Sequence, residues 1–300
     1  MAFLITTCHA LLAGYAAYMR ERFIQVRGLP ICLCEWGEEG APIILCLHGF
    51  LDQGAAWAMV GERFADEGYH FIAPDARGHG RSGHAPAGSD YHFPDYLSDL
   101  DGIIQFLKPD KLRLVGHSMG GTVATLYAGV RPETVDVLCV AEGLGPPAEE
   151  AVSLPNKLRL HLDQLQNLKA HRCMEDIPAA IARIQRMTPK MSTDFARFLA
   201  ERSTKPHDDG LIWTWDPLHR TRMPTVFSLE GYLATLRRIQ APTTVVYGSE
   251  SWYCFPDLPE REAAIPDFTR MEITASHSLH IDAPEALSDC FLQAIRASGH

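Results

Sequence analysis

Apolar residues gather in eight short runs along the chain, near 22–27, 31–36, 42–47, 69–73, 111–115, 135–141, 243–247 and 268–273, and each run reads as a strand. Amphipathic stretches near 56–67, 94–107, 119–130, 228–240, 256–264 and 284–297 read as helices. Strands that alternate with helices predict a largely parallel sheet with right-handed crossovers. The first two runs are joined only by Gly28-Leu29-Pro30, so they predict an antiparallel hairpin at the sheet edge. From 145 to about 225 the strand pattern stops and helical spacing takes over: Leu158, Leu162, Leu165, then Ile177, Ile181, Ile184, then Phe195, Phe198, Leu199. This predicts about three helices, followed at 211–215 by a short strand or extended arm.

One of these runs ends in candidate chemistry. The strand at 112–115 leads into Gly116-His117-Ser118-Met119-Gly120, and the helix follows at once. A serine on so sharp a strand-to-helix turn is a nucleophile elbow: glycine is needed on both flanks because larger side chains would clash, and the hydroxyl is left exposed. The pattern alone is weak in a chain with 23 glycines, so the rest of the chain has to support it.

Three further segments do so. Leu45-Cys46-Leu47-His48-Gly49-Phe50 ends a strand in a His-Gly turn upstream of the elbow. Phe71-Ile72-Ala73-Pro74-Asp75-Ala76-Arg77-Gly78-His79-Gly80-Arg81-Ser82 closes another. Near the C-terminus Ser276-His277-Ser278-Leu279-His280-Ile281-Asp282-Ala283-Pro284 puts a histidine between the last strand and the final helix. In this order the four segments resemble the α/β-hydrolase superfamily, and the resemblance runs from about Arg22 to Ala297. It implies an α/β-hydrolase fold with a mostly parallel eight-stranded sheet and a helical cap after the sixth strand. The domains would then be an N-terminal extension at 1–21, a core at 22–144 and 226–300, and the cap at 145–225.

A serine nucleophile needs a base, an oriented base needs an acid, and the oxyanion needs two donors. The N–H of Met119, next to the nucleophile at a helix start, is one donor; the resemblance implies the N–H of Phe50 as the second. It also puts the base at His277, in preference to His280. For the acid the chain departs from the family's common Gly-x-x-Asp, because Tyr247-Gly248-Ser249-Glu250-Ser251 carries serine where the aspartate would be. Glu142, at the end of the sixth strand, matches an alternative acid position found in some relatives, including the serine-hydrolase-like proteins, and is favoured; Glu250 is the alternative. Relatives that open epoxides or remove halogens carry aspartate at the nucleophile, so serine implies acyl chemistry. The expected function is cleavage of short to medium carboxylic esters through an acyl-enzyme. Thioesterase, lactonase and carbon-carbon hydrolase activities are alternatives, as is a non-catalytic ligand-binding role. Trp57, Trp213, Trp215 and Trp252 are candidates for an apolar acyl pocket, although aromatic packing competes for each.

Composition narrows the remaining classes. A formal net charge of −10 argues against nucleic acid, whose phosphates need a basic surface. The eight cysteines contain no C-x-x-C pair and several fall in core strands, which suits buried thiols in a reducing, cytoplasmic setting. Fourteen histidines contain no His-Glu-x-x-His and no close Cys/His set, so neither a metal nor a cofactor is expected. Gly78-His79-Gly80-Arg81-Ser82-Gly83 spells G-x-G-x-x-G, but turn residues follow instead of the helix start a dinucleotide needs; Asp75 and Arg77 read as structural residues of the same loop. The first 19 residues are uncharged and fairly apolar but have no basic lead-in, so they read as a short helix or extension, with membrane association as the less favoured reading. Oligomeric state is not legible.

Overall fold

The computed structural model describes Tyr15 and residues 18–299; the expectations for the N-terminal segment fall almost wholly outside them. In chain order the elements are β1 (Arg20–Val26), β2 (Leu29–Trp36), β3 (Ile43–Leu47), α1 (Ala58–Asp66), β4 (His70–Pro74), α2 (Phe93–Leu107), β5 (Leu112–His117), α3 (Met119–Val130) and β6 (Val135–Ala141). They continue with α4 (Leu154–Gln166), α5 (Ile177–Met187), α6 (Thr193–Ser203), β7 (Thr204–His207), β8 (Gly210–Trp213), α7 (Leu229–Leu236), β9 (Thr243–Gly248), α8 (Leu258–Ala264), β10 (Phe268–Ile273), α9 (Leu279–Asp282) and α10 (Pro284–Ala297).

Eight strands form one sheet in the order β1-β2-β4-β3-β5-β6-β9-β10. β1 pairs antiparallel with β2, and β2 antiparallel with β4; every later pairing is parallel. The edge hairpin is present, but its turn is Arg27-Gly28, because Leu29 and Pro30 already pair with Val26 and Gln25. Two left-handed residues in a row, at φ 51° and 80°, make that two-residue connection.

Central strands read as unbroken apolar runs because both of their faces are covered. Along β3, Ile44 and Cys46 enter one apolar cluster with Trp36, Phe64 and Phe291, while Leu45 enters the other with Leu100, Val123 and Leu236. α1 and α10 cover the first face; α2, α3, α7 and α8 cover the second. Local signals set the helix starts: Asp176, Ser192 and Ser228 accept the N–H groups of Ala179, Phe195 and Gly231.

The segment between β6 and α7 holds α4, α5, α6 and the β7–β8 hairpin, in line with three helices and a short strand. It is anchored by a buried charge. Arg202 of α6 is 4% exposed; its Nη2 donates to Asp75 Oδ2 at 2.8 Å, its Nε to Glu21 Oε1 at 2.8 Å, and its Nη1 to Gln53 Oε1 at 2.7 Å. Asp75 is fully buried and also accepts the N–H groups of Gly54 and Arg81. Arg77 pairs bidentately with Asp99, both bonds at 2.6 Å. The G-x-G-x-x-G stretch closes on itself, the N–H of Gly78 going to the carbonyl of Gly83, so it offers no amide cradle to a pyrophosphate.

A second tie between the inserted segment and the sheet is aromatic. The His219 ring lies 4.1 Å from His79 and 4.0 Å from Tyr91. Burial pushes both imidazoles down, His79 well below its ordinary range and His219 to about 4. The unfolded chain therefore binds the extra protons first. Stability is full above about pH 6.5 and falls as the pH drops towards 4, with His219 contributing about 3 kcal/mol of that loss. Thermal unfolding followed from pH 7 to pH 4 should show a falling midpoint with a shallower slope in His219→Leu; an unchanged slope would refute the assignment.

Candidate active site

Ser118 sits between the last residue of β5 and the first of α3 with φ 52° and ψ −114°, a conformation non-glycine residues rarely adopt. The turn closes so tightly that a Cβ on Gly116 would lie 2.6 Å from the Gly120 carbonyl, and one on Gly120 would lie 2.2 Å from the Leu47 carbonyl. Packing thus holds the hydroxyl clear of the sheet at the N-terminus of α3.

The structure brings three of the sequence candidates into one line. Ser118 Oγ is 3.0 Å from His277 Nε2, and His277 Nδ1 is 2.7 Å from Glu142 Oε2. Glu142 is fully buried, with φ 45°, at the residue after β6. Its carboxylate accepts two further bonds, from the N–H of Gly248 at 2.8 Å and from the hydroxyl of Ser251 at 2.6 Å. Because a carboxylate only accepts, Nδ1 of His277 must carry the proton, which leaves Nε2 as the acceptor facing the serine. His277 is flanked by the Tyr253 ring, stacked at 5.7 Å and 12°, and by the Trp252 ring at 4.6 Å.

The other candidates separate from this line. Glu250 is half exposed and its Oε2 takes Lys190 Nζ at 2.6 Å, so it does not reach His277: the backbone carries it outward one residue before Ser251 turns in. His280 is buried against Trp57, the rings stacked at 4.7 Å, and bonds Asp52.

Phe50 and Met119 both border the cavity over Ser118, and no acceptor among the described residues takes either backbone N–H. His48 fixes the first of these peptides. Its Nδ1 donates to the Gly49 carbonyl at 2.7 Å, while its Nε2 accepts the N–H of Ala76 at 2.9 Å. With that carbonyl held on His48, the trans peptide turns the N–H of Phe50 the opposite way.

The cavity has a volume of about 720 Å³ and lies between the sheet and the inserted segment. Ser118 and Met119 form one end; Phe93, Tyr96, Leu126, Phe227, Tyr232 and Phe255 give it apolar walls, and Lys157 and His161 of α4 border it. Of the four tryptophans expected there, only Trp252 lines it. Trp57 is fully buried in the core, Trp213 packs on that core, and Trp215 stacks edge-on to His171 and beneath Arg220, so each spends its apolar surface elsewhere. Sequence reasoning missed Ser251 and Tyr253, although the departure at Ser251 was itself the signal. It also missed most of the wall: Leu126 sits in a helical stretch that reads as ordinary core, and Phe93 and Phe255 stand just before such stretches.

Comparison with known proteins agrees with this fold. The chain is 25% identical over 266 residues to a serine hydrolase-like protein of Danio rerio, covering 84% of this chain and 81% of that one. It is 21% identical to human serine hydrolase-like protein 2, over 86% and 89% of the two chains. Among solved structures, the thioesterase domain from the curacin biosynthetic pathway superposes with a TM-score of 0.84 at 39% identity, covering 91% of this chain and 99% of that one. The sequence profile of the alpha/beta hydrolase fold matches residues 42–284. With the sheet order, the strained serine turn and a match of that extent in agreement, the chain belongs to the α/β-hydrolase fold family.

Proposed function

We propose that this chain is a serine hydrolase that cleaves carboxylic esters of short to medium acyl chains through an acyl-enzyme. The observation that carries the reading is the hydrogen-bonded line from Ser118 through His277 to Glu142, opening onto an apolar cavity of about 720 Å³. His277 Nε2 takes the serine proton as Oγ attacks the ester carbonyl carbon. The negative oxygen of the tetrahedral intermediate is held by the N–H groups of Phe50 and Met119, aided by the N-terminus of α3. Collapse breaks the carbon–oxygen bond, and His277 returns its proton to the leaving alcohol. Water, deprotonated by the same histidine, then releases the acid and restores Ser118. Glu142 holds the imidazole in the required tautomer throughout. In this reading residues 145–225 act as a cap that walls the acyl pocket.

A fluorophosphonate probe tests the nucleophile. One label per chain is expected in wild type and none in Ser118→Ala; labelling that survives the substitution, or never occurs in the folded protein, would overturn the assignment. A p-nitrophenyl ester series from acetate to decanoate then sizes the pocket. A second reading, thioester hydrolysis on the same residues, is favoured by the 39% identity to a thioesterase domain. A kcat/KM for acyl thioesters at least ten-fold above that for oxygen esters of equal length would select it.

A further inference from the structure

Behind His277, three side chains converge that ester cleavage does not use: Asp52, His117 and His280. One ligating atom of each lies within 4.8 Å of the other two. The two histidines are 5% and 2% exposed, while the Asp52 side chain, 25% exposed, connects the cluster to solvent.

The hydrogen bonds decide where the protons are. His117 Nε2 faces the carbonyl oxygen of His277 at 2.8 Å. A carbonyl only accepts, so Nε2 carries the proton and Nδ1 is a bare lone pair. That nitrogen is buried, and no donor among the described residues reaches it. His280 Nε2 lies 3.1 Å from Asp52 Oδ2, and its Nδ1 is also buried without a partner. Leaving a buried polar atom unsatisfied costs about 1–3 kcal/mol, and the bare Nδ1 of His117 is such an atom among the described residues.

We propose that Asp52, His117 and His280 form a binding site for a zinc-like first-row transition-metal ion. Two imidazoles and a carboxylate, with water in the fourth position, are a donor set that Zn²⁺ accepts. The bond from His117 Nε2–H to a backbone carbonyl is the outer contact that metal-bound histidines make. The ion takes the place of the proton between His280 Nε2 and Asp52, and that proton moves to His280 Nδ1. Bonds of about 2.0–2.1 Å in a tetrahedron set ligand atoms about 3.3 Å apart. The His280–Asp52 pair already has close to that spacing at 3.1 Å, and one ligating atom of each of the three residues lies within 4.8 Å of the other two. Positions 52, 117 and 280 are scattered in the sequence, so no spacing motif announces the site. An ion there ties the loop after β3, the end of β5 and α9 together, directly under the backbone of His277.

The test uses metal-free full-length protein. One equivalent of Co²⁺ should give a visible d–d absorption that Zn²⁺ displaces, and Zn²⁺ in excess should raise the unfolding temperature by several degrees. Both signals should be lost in Asp52→Asn and His280→Gln and kept in Ser118→Ala and His277→Gln. Asp52→Asn keeps size and shape at a partly exposed position, so it decides the matter even if His280→Gln fails to fold. Three results would overturn the site: no uptake by wild type at about ten-fold excess, signals that survive Asp52→Asn, or signals that depend on His277.

Discussion

Glu142→Gln should lower kcat on the preferred ester by about 10³ to 10⁴-fold, with KM and the fold little changed. The native carboxylate receives three donors, from Gly248, Ser251 and His277. A glutamine offers one accepting atom where two are needed, and its NH₂ group meets either the Gly248 N–H or His277 Nδ1–H donor to donor. The relief open to the imidazole is to shift its proton to Nε2, which then faces Ser118 as a donor and cannot serve as a base. Glu250→Gln is the control, since that side chain is half exposed and pairs with Lys190; its kcat should stay within about two-fold of wild type. Steady-state kinetics on both variants decides between them, and a large loss in Glu250→Gln with little in Glu142→Gln would move the acid.

Arg202→Ala should destabilise the protein by about 3–5 kcal/mol, the cost of leaving a buried charge without its partner. Asp75 is fully buried, and after the substitution the N–H groups of Gly54 and Arg81 are its remaining donors. Gln53 and Glu21 lose their bonds to the guanidinium as well. Urea unfolding of Arg202→Ala, Asp75→Asn and the double variant measures the coupling, and the double variant should be clearly less destabilised than the sum of the singles. A loss below about 1 kcal/mol in Arg202→Ala would mean that the inserted segment is held by apolar packing alone.

The sheet was legible in the sequence because buried parallel strands are unbroken apolar runs, and each of the eight appears within two residues of its expected bounds. Ser118 was legible for a related reason, since it follows a strand end where local sequence dictates the turn, whereas His277 was named from the family resemblance. The acid was only half legible. Glu142 and Glu250 both follow strands, and what separates them is the direction in which the backbone leaves β6 and β9, a tertiary property. The serine at the usual aspartate position was read as a deficit; its hydroxyl in fact donates to Glu142, so the position still bonds the carboxylate proposed as the acid. Three of the four tryptophans fell outside the pocket because an aromatic residue fits a core and a pocket equally well, and sequence does not record which side of the sheet has room.

Ser118 and Glu142, at the ends of neighbouring strands, both hold positive φ without being glycine, at 52° and 45°. Such backbones cost about 1–3 kcal/mol each, and glycine would relieve them while removing the two side chains that hydrogen-bond the His277 ring. This protein therefore gives up thermodynamic stability at the two positions on which the proposed hydrolysis depends. Selection for heat resistance alone would be expected to erode those positions first, whereas selection that also keeps the proposed hydrolysis must find its stabilising changes elsewhere in the chain.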